Sequence, residues 1–163
     1  MQKITVLGLK TEFKSPEELV NSARALGREH KVMVQVLNPH CVLSAPHIYF
    51  SCFHAFKAFG EERGIAKTIE NEVLARVACT TKLEKALEIA GVKNAKRVIL
   101  VVGSEGKLAR EIAQKLGKEA PELLERTKEK EERVSKLFGI KKSTSFSLED
   151  ALLEKIAMLG TIG

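Results

Sequence analysis

The residues in this chain whose types and spacing could do chemistry begin with the turn Gly103-Ser104-Glu105-Gly106-Lys107. It follows an apolar run and leads into a helical stripe, the setting in which glycines let backbone amides approach a phosphate. A phosphate loop of the ATPase kind needs four residues between its glycines and a hydroxyl residue after its lysine to hold magnesium. Here only Ser104 and Glu105 separate the glycines and Leu108 follows Lys107, so the stretch reads as a tight strand-to-helix turn. A small nucleotide-binding enzyme using Gly103 to Lys107 stands as an alternative function. His47 and His54 could share a helical face, but no third ligand at fixed spacing accompanies them or His30 and His40, so no metal is expected. His47, in a first helical turn, is expected to pack or hydrogen-bond locally, and His54 to face solvent. Cys41, Cys52 and Cys79 sit among apolar neighbours with no close pairing, the setting of reduced core thiols rather than of an activated thiolate. No paired carboxylate stands out from helix-surface charge. The chain is therefore expected to hold no catalytic residues and no cofactor, and not to be an enzyme.

What remains is charge. The chain has 163 residues, with 27 Lys and Arg against 21 Asp and Glu. Residues 121–163 carry eight of each sign, so the whole excess of +6 lies before them. A basic excess of this size attracts polyanions, nucleic acid among them. Lys57, Arg63, Lys67, Arg76 and Lys82 lie off the apolar stripes of successive helices or in the turns between them, and form the candidate nucleic-acid-binding set. One tyrosine and no tryptophan leave little for stacking, which argues against binding along an extended single strand and leaves open a pocket for a few terminal nucleotides.

These residues depend on a run of helices between Asn38 and Gly91. Ser44 and Pro46 open the first, as N-cap and first-turn proline, and Gly60 closes it. Ile48, Cys52, Phe53, Phe56 and Phe59 recur at helical spacing and are expected to face the core. A second helix runs from Thr68 to about Cys79 on Ile69, Val73, Leu74 and Val77, with Glu70, Glu72 and Arg76 off the stripe. The third spans Thr81 to Ala90. Short connections fold the three back on one another and bring Arg63, Lys67 and Lys82 into the same region.

Around this cluster the periodicities predict a small sheet. Gln2 to Leu9 alternates as a strand, and Ser15 to Glu18 is a capping box that starts a helix through about Leu26. Lys31 to Leu37 is a second strand stopped by Asn38-Pro39, leaving either a β-α-β unit or antiparallel strands around a helix. The apolar run Lys96 to Val102 reads as a buried strand, and Leu108, Ile112 and Leu116 as the stripe of a helix ended by Gly117. Pro121 opens a charged helix through Phe138, with Leu123, Leu124, Val134 and Leu137 apolar. Gly139 to Phe146 is a polar connection with room for a short strand. The fold class expected is α/β: one domain over 1–163, with a small mixed β-sheet of three or four strands packed with six or more helices. No apolar run is long enough for a bilayer, and MQKITVLGLK lacks the pattern of a secretion signal, so a cytoplasmic location without membrane contact is expected.

His47 followed along its helix by small residues and an aromatic, then Ala66-Lys67-Thr68-Ile69, Glu72-Val73-Leu74 and an apolar helix ending at Gly91-Val92, resembles the tRNA-binding accessory subunit of the KEOPS complex, the PRPK-binding protein family, in its archaeal type. The likeness runs from about Val6 to Ile162. Many members place an arginine, an amide and an isoleucine at the start of the third helix, where this chain has Thr81-Lys82-Leu83, a basic group displaced by one position. The resemblance implies a non-catalytic subunit of a hetero-oligomer that holds the single-stranded 3′ CCA end of tRNA. It also implies docking on a small kinase-like ATPase subunit, in support of threonylcarbamoyladenosine tRNA modification. A protein-only scaffold is the further alternative.

Ser147 caps a last helix whose stripe is Leu148, Leu152, Ile156 and Leu159, while Leu153 and Met158 widen it beyond what one buried face needs. Such surplus apolar surface commonly marks a protein interface. Leu152, Leu153, Ile156, Met158 and Ile162 are the candidate partner-binding residues.

Overall fold

Alternating and β-branched stretches form strands as expected, and the computed structural model, which describes residues 3–141 and 147–160, gives their pairing. β1 (Thr5–Lys10), β2 (Val34–Leu37), β3 (Arg97–Val102) and β4 (Lys118–Glu119) form one sheet in the order β2-β3-β1-β4. Every pairing is antiparallel: Thr5 lies opposite Val102 in β1 and β3, Val34 opposite Val102 in β2 and β3, and Leu9 opposite Glu119 in β1 and β4. β1 and β2 therefore point the same way with β3 between them. The continuous apolar run of β3 explains its central place, since Val98 to Val102 are all buried.

Ser15 caps α1 (Pro16–His30), its hydroxyl accepting the Glu18 N–H at 3.1 Å. The helix passes the expected end at Leu26 and stops at Lys31 in the left-handed region, φ 55°. A glycine at 27 costs only about 1 kcal/mol inside a helix, and Arg28 and His30 in the last turn favour its carboxyl end. That extension delays β2 from the expected Lys31 to Val34. Leu19, Ala23 and Leu26 pack with Val36, Leu100 and the Ile112 and Leu116 stripe of α5 (Lys107–Leu116). Gly8 is required where β1 meets the chain after β4, because a Cβ there would collide with the Ala120 carbonyl, while the Ala120 N–H donates to Gly8 O at 2.7 Å.

These elements make up one of two compact units, Met1–Pro39 with Gly91–Leu124; the other is His40–Ala90 with Glu125–Gly163. The second holds α2 (Ala45–Gly60), α3 (Ile69–Val77), α4 (Leu83–Ala90), α6 (Lys128–Leu137) and α7 (Leu148–Met158). With seven α-helices and four strands among the described residues, the chain is mixed α/β as read.

The charged helix expected from Pro121 through Phe138 is two elements. A 3-10 turn at Pro121–Leu124 ends in the first unit, and α6 begins only after Thr127, whose hydroxyl accepts the Lys130 N–H at 3.1 Å. A hydroxyl cap offers the backbone a helix start that the alternating charges around it conceal. Leu137, expected on the apolar stripe, is 42% exposed, while Val134 is buried. The short strand allowed for Gly139 to Phe146 lies largely outside the described residues.

Candidate functional site

α2 turns a different face to the core from the one its aromatics suggest. His47, Ile48, Ser51, Cys52, Ala55 and Ala58 are buried, whereas Phe53 is 50% exposed and Phe56 and Phe59 are half-buried. At 100° per residue the buried face lies about a quarter turn round from the aromatic one. Small residues let α2 and α3 approach closely, and the large rings are left to the flanks. Phe53 stacks on Phe50 with centroids 6.5 Å apart, and His54 stands edge-on to both rings, at 4.6 Å from Phe50 and 5.3 Å from Phe53. With Tyr49 also exposed, α2 shows an aromatic outer surface that includes Phe53, which apolar periodicity assigned to the core. Ser44, expected as the cap of α2, makes no cap bond and instead donates to Glu149 at 3.3 Å.

Lys57, Lys67 and Lys82 are exposed. Arg63 is exposed too, with Glu61 as its partner at 2.8 Å through Nε, and that hydrogen bond holds the Glu61 carboxyl below its ordinary value. Lys82 stands in the turn before α4, which begins at Leu83 rather than Thr81 because the Thr80 hydroxyl takes the Lys82 N–H at 3.2 Å.

Arg76 corrects the basic set: it is 3% exposed and is not a surface cation. Its Nε donates to Glu72 Oε2 at 3.0 Å, and Glu72, also expected on the wet side of α3, has no exposed surface at all. The other Glu72 oxygen accepts the Ala66 N–H at 2.8 Å, and Arg76 Nη1 donates to Leu159 O at 3.1 Å. Isolated buried charges are costly, so a carboxylate and a guanidinium four residues apart on one helix, aimed inward, stay there as a pair with their remaining sites filled by backbone.

His47 is the second buried polar anchor of this unit. Its Nδ1 accepts the Leu43 N–H at 3.2 Å and its Nε2 lies 3.0 Å from Val77 O. A carbonyl can only accept and an amide N–H only donate, so the ring is the neutral Nε2–H tautomer. Burial pushes its pKa down to about 4 against the weaker upward pull of the Val77 carbonyl. Local hydrogen bonding was the role expected of it, and the role leaves no nitrogen for a metal. Because the folded pKa lies below the unfolded one of 6.5, the unfolded chain takes up the proton first as pH falls from 6.5 towards 4. Stability is expected to drop by about 3 kcal/mol over that window. Unfolding titrations from pH 7 to 4 check it, with His47→Gln flattening this part of the slope.

The thiols are inert by the same cause: burial raises Cys41, Cys52 and Cys79 each to about 12, far from any thiolate at neutral pH. Among the described residues no cluster of three or more His, Cys, Asp and Glu is placed to hold a metal ion. At the Gly103 turn, the Gly103 N–H donates to Met33 O at 2.7 Å and Thr5 Oγ donates to Ser104 O at 2.7 Å. One of the amides that a phosphate would need is thereby occupied by the sheet.

On α7 the proposed partner residues divide. Leu152 and Ile156 have no exposed surface and form, with Leu43 and Val134, a core to which Leu148, Leu153 and Phe138 add partly buried contacts. They are core in the lone chain and not a surface. Met158 is 52% exposed. It borders an open depression of about 460 Å³ with Cys79, Ile140, Ala151, Glu154, Lys155 and Leu159. Ile162 lies outside the described residues. No helix among the described residues is long and apolar enough to cross a membrane.

Comparison with known proteins agrees with the sequence resemblance. The KEOPS complex subunit Cgi121 of Pyrococcus abyssi (strain GE5 / Orsay) is 27% identical over 107 residues, which cover 63% of this chain and 61% of that protein. The matched stretch thus spans less than two thirds of the relative's length. Residues 13–160 match the family described as kinase binding protein CGI-121, a range that takes in most of both compact units but not β1. Because that match takes in far more than half of the chain, the chain belongs to the CGI-121 kinase-binding protein family.

Proposed function

We propose that this protein is a non-catalytic subunit of a KEOPS-type complex that docks on a kinase-like ATPase subunit and binds the 3′ CCA end of tRNA, supporting threonylcarbamoyladenosine modification. Membership of a kinase-binding family over residues 13–160 is the observation that carries this reading. Support for the RNA half comes from the exposed Lys57, Arg63, Lys67 and Lys82, all within the helical unit. The aromatic surface of Tyr49 and Phe53, on the same helix as Lys57, suits unpaired bases, which stack on exposed rings. His47, Cys41 and Cys52, the residues best suited to chemistry by type, are consumed in the core. A cytoplasmic site of action, where tRNA is available, is part of this reading.

Charge reversal at Lys67 or Lys82 is expected to weaken tRNA binding and to flatten its dependence on salt, since each phosphate that is no longer neutralised takes about one unit off the slope of log affinity against log salt. Titration of labelled tRNA at several salt concentrations measures both. Unchanged binding in every reversal would move the RNA to the exposed Lys93, Lys96 and Arg97 of the sheet unit. Kinase docking without any tRNA binding would instead make the protein a scaffold between proteins.

A further inference from the structure

The three hydrogen bonds of the Glu72–Arg76 pair form a line through the helical unit. Ala66 N–H meets Glu72 at 2.8 Å, Glu72 meets Arg76 at 3.0 Å, and Arg76 meets the Leu159 carbonyl at 3.1 Å. One end of this line is the Gly64 to Lys67 loop, which bears Lys67 and follows Arg63. The other is the C-cap of α7, whose last helical residue is Met158.

Both ends lean on the pair. Gly64 lies so close that a Cβ there would sit 3.2 Å from Glu72 Oε1 and 2.8 Å from the Phe59 ring, so the loop backbone rests directly on the carboxylate. Leu159 O is among the carbonyls a helix leaves without an internal partner at its carboxyl end, where a guanidinium is the favoured donor. With Glu72 fully buried and Arg76 nearly so, losing the bond between them would leave an unpaired charge in a poor solvent, so the pair holds its backbone partners at both ends in place.

We propose that Glu72 and Arg76 are positioning residues that lock the loop to the end of α7, so that a protein docked on α7 and an RNA held at the loop strengthen each other's binding. The identities of the two ligands rest on the functional reading above; the lock does not. A partner that orders the last turn of α7 fixes Leu159 O, hence Arg76 and Glu72, and hence the Ala66 backbone. Linkage makes the gain reciprocal: tRNA must raise kinase affinity by the factor by which the kinase raises tRNA affinity.

The test uses the full chain as wild type, Arg76→Gln and Arg76→Lys. Amide exchange at Ala66 reads the lock without any ligand. Arg76→Gln is expected to speed it at least tenfold although Arg76 does not touch Ala66. Arg76→Lys, the variant expected to stay folded, retains a cation for Glu72 but lacks the second arm for Leu159 O, so Ala66 stays protected. Titration of CCA-ended tRNA with and without saturating kinase subunit then reads the coupling. A gain of roughly five- to tenfold is expected in wild type and none in Arg76→Lys, with each ligand still binding alone. Equal gains in wild type and Arg76→Lys, or unchanged Ala66 exchange in Arg76→Gln, would overturn the proposal. If wild type binds neither ligand, the functional reading falls and the coupling with it, while Ala66 exchange still decides the lock.

Discussion

Replacing Glu72 by alanine is expected to lower folding stability by about 3–5 kcal/mol, the cost of leaving a buried guanidinium without its counter-charge. Among the described residues Arg76 has no other carboxylate as a hydrogen-bond partner, its second bond going to the Leu159 carbonyl. Glu72→Ala also frees the Ala66 N–H and empties the space beneath Gly64. The double variant Glu72→Met/Arg76→Met should recover much of the loss, because two apolar side chains of similar size need no solvation. Full recovery is not expected, as Ala66 N–H and Leu159 O remain unpaired. Urea unfolding of the single and double variants measures this, and a single-variant cost below about 1 kcal/mol would mean that water reaches the pair.

Along α7, neighbouring substitutions should have opposite consequences. Ile156→Ala and Leu152→Ala are each expected to cost about 2–5 kcal/mol, because both side chains are wholly buried against Leu43 and Val134. Met158→Glu should change stability by no more than about 0.5 kcal/mol, since half of that residue already faces water. If the end of α7 is the docking surface, the same Met158→Glu abolishes capture of the kinase subunit at unchanged melting temperature. Loss of capture only in variants that also unfold would place the interface elsewhere on the chain.

The difference between these residues was only partly legible in the sequence. The stripe Leu148, Leu152, Ile156, Leu159 announced a buried face, and the surplus of Leu153 and Met158 announced that something was left over. Which of them lay inside depended on where Leu43 and Val134 came to pack, and that contact joins residues far apart in the chain. β3 was readable because an unbroken apolar, β-branched run reads as a buried strand when it is too short for a helix, and its last five residues are indeed buried. α2 was misread by a quarter turn for a physical reason: periodicity weights residues by apolar size, whereas close helix packing selects Ser51, Ala55 and Ala58 and turns Phe53 outward. The charges of α3 misled for the mirror-image reason. Glu72 and Arg76 look like surface residues until the Ala66 amide and the Leu159 carbonyl are seen to complete their hydrogen bonding. An acid and a base four residues apart beside Val73 and Val77 was the available signal, and it is the same signal that an ordinary exposed helix pair gives.

The most direct test of the functional account is the affinity of the isolated protein for one tRNA prepared with and without its terminal CCA. Phosphate attraction acts along the whole RNA and cannot tell the two apart, so discrimination requires recognition of unpaired bases and 2′-hydroxyls at the end itself. The account predicts that trimming the CCA weakens binding at least tenfold, while changing the anticodon leaves it within about twofold. Equal affinity for intact and trimmed tRNA would contradict it.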